Sequence, residues 1–99
     1  MTITEIKTED GIQLDVEGQV DTVTAPELQQ KILTSFQKSS HVVLNIGNVG
    51  YMSSAGLRAL LLGQKTASSK GGYLKVANVQ PSVMQVFKMS GFAKILDIV

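Results

Sequence analysis

The sequence predicts a single α/β domain over residues 1–99, in which a mixed β-sheet opens with an antiparallel hairpin and is flanked by helices. Three observations point there. Ile12, Leu14 and Val16 alternate with Gln13, Asp15 and Glu17, the period-two pattern of a half-exposed strand. Downstream, helical patterns alternate with short apolar runs, and strand–helix–strand units of this length favour parallel pairing. A chain of 99 residues with 43% hydrophobic content supplies one core without disulfides.

Residues 2–8 and 12–18 read as the first two strands. Asp10-Gly11 lies between them, a favoured two-residue hairpin turn because both positions tolerate positive φ. Thr24-Ala-Pro-Glu27 then starts a helix, with Thr24 able to cap, Pro26 in the first turn and Glu27 at the capping-box position. Leu28, Ile32 and Phe36 recur on one face, and the helix is expected to end near Lys38. Val42 to Ile46 is nearly all apolar, which suggests a central strand covered on both sides. A second helix reads from Ser54 to Ser69 and ends before Gly71-Gly72. Tyr73 to Ala77 forms another strand with Leu74 and Val76 on one face, and Pro81 to Ser90 a third helix stopped by Gly91. Ile95 to Val99 fits either a last strand or a helical end, and the pattern leaves the strand order open.

Composition narrows the function. The formal charge is +1, and no basic block or aromatic-basic interleaving marks a nucleic-acid partner. No cysteine is present, which removes a disulfide framework, thiolate metal ligation and a cysteine nucleophile. No apolar run approaches the roughly 18 residues of a membrane span, and the N-terminus lacks a basic-then-apolar signal pattern. A soluble cytoplasmic domain without direct membrane insertion is the expectation.

The most informative stretch is Tyr51-Met-Ser-Ser-Ala-Gly-Leu57, where a buried strand passes through a glycine-containing loop into two serines that begin a helix. Ser53 or Ser54 can be simply an N-cap that satisfies an orphan amide. Three details suggest more. At 100° per residue, Leu57, Leu60, Leu61 and Ala67 face the core, while Ser54, Arg58, Leu62 and Lys65 form an adjoining stripe. Free amides at a helix start suit a phosphate, so Ser54 is a candidate acceptor. Gly56 costs about 1 kcal/mol relative to alanine in a helix, and so implies a close approach, by a neighbouring element or by a partner.

Catalysis finds little support. Gly-x-Ser-x-Gly is not met, because Met52 stands at the first glycine position relative to Ser54, and the lone His41 precedes the serine. One histidine without cysteine cannot build a metal site, and the glycines form no phosphate-binding loop. The expectation is a protein that is not an enzyme and needs no metal or cofactor.

These pieces together resemble a known family. Gly18-Gln-Val-Asp21, Val43-Leu-Asn-Ile46, Tyr51 to Leu57, Gly71-Gly72 and Met89-Ser-Gly-Phe92 make the chain similar, nearly end to end, to bacterial anti-sigma factor antagonists of the STAS-domain family. The resemblance implies a non-enzymatic partner switch. The unphosphorylated antagonist binds an anti-sigma factor that is also a histidine-kinase-like serine kinase, and so frees the sigma factor. Phosphorylation of the motif serine weakens that complex, and a PP2C-type phosphatase restores it. The motif serine maps onto Ser54, and Asp21 matches a family acid whose loop lies near it. Many members have Asp-Ser where this chain has Ser53-Ser54, which leaves Ser53 as second choice, and Asn45 stands where an acid is frequent. The implied partner-binding residues are Asp21, Tyr51, Met52, Ser53, Ser54, Gly56, Arg58 and Leu62. The alternative is a non-switched STAS adaptor subunit of a transport or signalling complex.

Overall fold

A computed structural model describes residues 1–99. Strands β1 (Thr2–Lys7) and β2 (Ile12–Glu17) form the opening hairpin, followed by helix α1 (Ala25–Lys38), strand β3 (His41–Asn48) and helix α2 (Ser54–Ser69). Strand β4 (Tyr73–Ala77), helix α3 (Pro81–Ser90), a 3-10 turn at Phe92–Lys94 and the short strand β5 (Asp97–Ile98) complete the chain. The strands lie in the order β1-β2-β3-β4-β5. Only β1 and β2 are antiparallel; every other neighbouring pair is parallel. The chain end that sequence left ambiguous is thus an edge strand, joined by Lys75 opposite Asp97 and Val76 opposite Ile98.

All three helices cover the same face of the sheet. Ile12, Leu14 and Val16 of β2, Val42, Leu44 and Ile46 of β3, and Leu74 and Val76 of β4 are buried. They share one cluster with Leu28, Ile32 and Phe36 of α1, Leu57 and Leu60 of α2, and Val83 and Phe87 of α3. The intervening residues Gln13, Asp15, Val43, Asn45, Tyr73 and Lys75 are only half-buried on the opposite face. This corrects the expectation that β3 is covered on both sides. Val43 gave the strand a continuous apolar look, but the period-two alternation of a one-sided sheet persists beneath it. The open face is closed partly by side chains alone. The rings of His41 and Tyr73 lie 4.6 Å apart, and Lys75 Nζ sits 4.3 Å above the Tyr73 ring.

The hairpin turn also differs from expectation. Lys7 pairs with Ile12, so residues 8–11 make a four-residue connection, and neither Asp10 nor Gly11 has positive φ. Gly11 serves a close approach instead: a Cβ there would lie 2.1 Å from the His41 carbonyl oxygen. Glu5 of β1 accepts from Lys31 in the middle of α1 and from Lys38 at its end, at 3.0 Å and 3.1 Å, which ties the edge strand to that helix.

Candidate functional site

The site lies where the carboxyl end of β3 turns into α2. Val49 and Met52 are buried and anchor this connection from below, while Gly50 and Tyr51 between them stay exposed. The connection is sewn to the loop before α1 by backbone bonds: Val20 N–H donates to Tyr51 O at 3.0 Å, and Ser53 N–H to Val20 O at 2.8 Å. Val20 and Met52 form a parallel bridge. From the far side, Gln80 Nε2 donates to Gly47 O at 2.8 Å and Ser82 Oγ to Gly50 O at 3.2 Å. An irregular segment with this many partners has a fixed course, and it delivers the serines to one defined place.

The two serines are then distinguished by geometry. Ser53 is the N-cap, with extended backbone, and its Oγ accepts from Gly56 N–H at 3.3 Å. Ser54 is the first residue of α2, it is exposed, and its hydroxyl is free of intramolecular hydrogen bonds. The cap that sequence could place on either serine therefore belongs to Ser53. Gly56 meets the close-approach expectation internally: a Cβ would fall 2.7 Å from Val20 Cγ1 and 2.9 Å from Met52 Cγ. Met52 and Gly56 thus lie under the surface formed by Tyr51, Ser53, Ser54, Arg58 and Leu62. Tyr51 is 51% exposed and Leu62 37%. The predicted stripe Ser54, Arg58, Leu62 and Lys65 is exposed along its whole length, and Leu61 is half-buried beside the core residues Leu57, Leu60 and Ala67.

Asp21 follows Val20, whose carbonyl holds Ser53, so its loop does run beside the serines. Its carboxylate is engaged at home. Oδ1 accepts Val23 N–H at 2.9 Å and Thr24 N–H at 3.0 Å, which starts α1. Those bonds, Thr24 N–H foremost, hold the carboxyl below the usual aspartate range. The Thr24–Glu27 capping box is absent. Thr24 Oγ1 accepts from Asp21 N–H and donates to Gln19 O, each at 2.9 Å, so it is turned away from the helix.

Two features escaped the sequence reading. Val23 is 84% exposed in the loop beside Asp21, and a β-branched residue in a turn was the available signal. A shallow groove of about 350 Å³ also runs between α1 and α2, lined by Thr22, Ala25, Pro26, Gln29, Gln30, Ala55 and Arg58. It depends on how the two helices pack, which no local pattern encodes.

Residues 4–99 match the STAS domain. The chain belongs to the STAS-domain family. Over 90 residues it is 29% identical to the anti-sigma-B factor antagonist of Bacillus subtilis strain 168, covering 91% of this chain and 83% of the relative. With the anti-sigma F factor antagonist of Paenibacillus polymyxa it shares 32% identity over 83 residues, 82% of this chain and 71% of that one. Among solved structures, an anti-sigma factor antagonist from Mycobacterium paratuberculosis superposes with a TM-score of 0.85 at 22% identity, over 98% of this chain and 83% of the other. The Bacillus cell fate determinant SpoIIAA in its phosphorylated form gives 0.75 at 20% identity, over 99% and 91%. These two structural likenesses show that this STAS domain has the fold of those proteins. No helix in it is long and apolar enough to cross a membrane.

Proposed function

We propose that this STAS domain is an anti-sigma factor antagonist controlled by phosphorylation of Ser54. The unmodified protein binds an anti-sigma factor with serine kinase activity through Tyr51, Ser53, Ser54, Arg58 and Leu62, with the Asp21 loop alongside and Met52 and Gly56 supporting them from beneath. The observation that carries this reading is the division of labour between the serines. Ser53 Oγ is committed to the Gly56 amide, whereas Ser54 offers a free, exposed hydroxyl. Transfer of a phosphoryl group to Ser54 Oγ adds about −2 charge and bulk to a surface that a partner must approach closely. Ser54 is exposed, so modification leaves the fold intact, while burying the added charge and bulk in an interface costs several kcal/mol. A PP2C-type phosphatase resets the switch by hydrolysing the ester.

The decisive experiment incubates the protein with its cognate kinase and ATP and maps the product by mass spectrometry. Phosphate on Ser54 is expected, abolished by Ser54→Ala and retained in Ser53→Ala. No phosphate on either serine ends the mechanism. Calorimetry then separates the switch from a constitutive adaptor. Ser54→Asp should weaken binding about tenfold or more, a loss of at least ~1.4 kcal/mol; equal affinity would favour the adaptor.

A further inference from the structure

The assignment of Ser54 gives a neighbouring cation, one of the proposed contact residues, a second role in the modified state. Arg58 stands one helical turn beyond Ser54, on the same exposed stripe of α2. Its guanidinium takes part in none of the chain's ion pairs, both of which belong to Glu5. The first turn of α2 contains no acid, and the groove that Arg58 lines offers only neutral side chains. The nearby Asp21 carboxylate is occupied by the amides that start α1.

We infer that Arg58 is the counter-cation of a phosphate on Ser54, folding the modified group back along α2. Helical side chains lean toward the N-terminus, so a residue at i+4 reaches back over residue i. An anion placed four residues N-terminal to a cation is the favourable order on a helix. The guanidinium fork matches two phosphate oxygens, which an ammonium does not. Arg58 is thus a positioning residue for the modified state, and the inference rests on the reading of Ser54 as acceptor.

The test does not need the kinase, so its failure is distinct from failure of that reading. Phosphoserine is installed at position 54 during synthesis, and the second phosphate ionisation is followed by phosphorus NMR across pH. A phosphoserine ordinarily loses its last proton near pH 6. The cation should hold this value down, and R58Q should raise it by about 0.15–0.4 of a pH unit. R58K keeps the charge without the fork and should fall between the two. K65Q, which removes another exposed cation of the same stripe, should leave the titration unchanged. An unaltered titration in R58Q overturns the inference, and so does an equal shift in K65Q.

Discussion

Ser53 Oγ accepts the Gly56 amide at 3.3 Å, while the hydroxyl of Ser54, one residue on, faces solvent. Their substitutions should therefore have opposite signatures. Ser53→Ala removes a cap, whose loss typically costs ~1 kcal/mol, and the long hydrogen bond puts this case at about 0.5–1 kcal/mol. For a domain of this size the melting temperature should drop by roughly 2–8 °C in a calorimetric scan. Ser54→Asp touches no buried group, and its charge is favourable at a helix start, so the same scan should move by less than about 3 °C. A large loss of stability in Ser54→Asp would mean that this hydroxyl does structural work. Two adjacent residues of one type are thus separable by heat alone.

At the scale of elements, Gly56 shows how α2 is seated. Glycine to alanine inside a helix normally gains about 1 kcal/mol. Here the new Cβ would press on Val20 Cγ1 and Met52 Cγ, and Val20 is fully buried with nowhere to move. Overpacking of this kind costs about 1–3 kcal/mol and should outweigh the propensity gain. Urea unfolding of Gly56→Ala should show a net loss of up to about 2 kcal/mol, and a gain would mean that the bridge between the two loops yields easily. Such contacts mark the limit of what the sequence could show. The helices were legible because Pro26, Pro81 and Gly91 punctuate them and Leu28, Ile32 and Phe36 repeat at helical spacing. The open sheet face was not, because Val43 masks the alternation carried by Asn45. The loop at Gly11 was misjudged because its glycine answers to the distant His41 carbonyl rather than to its own turn. Ser54 is singled out by its neighbourhood in sequence as the proposed acceptor, but which of the two serines caps the helix needed the phase of the helix in space.

Across the whole molecule, two carboxylates fasten α1 along its length. The amides of Thr24 and Val23 hold Asp21 at the helix start, and Glu5 is held by Lys31 at mid-helix and Lys38 at the helix end. Both carboxyls ionise below their usual range, Asp21 chiefly through the Thr24 amide and Glu5 chiefly through its bond to Lys31. A depressed folded-state pKa contributes stability that is present above the unfolded value and lost as pH falls through the folded one. Acid unfolding should therefore deepen below about pH 4, and Asp21→Asn, which can still accept an amide proton, should flatten that limb in a pH series of urea midpoints. An unchanged limb would assign acid sensitivity elsewhere. The stitching of the two loops through Val20 and Ser53 has a consequence in time as well as in space. Amides in irregular chain usually exchange with deuterated water quickly, because opening them disturbs little. The Val20 and Ser53 protons point into carbonyls over buried Met52, so their release requires parting two loops and disturbing the core. They should exchange on the slow schedule of β3, and should stay slow in protein made with phosphoserine at position 54, the proposed acceptor. That pair of clocks would report whether the modified protein has merely a new surface or a loosened frame.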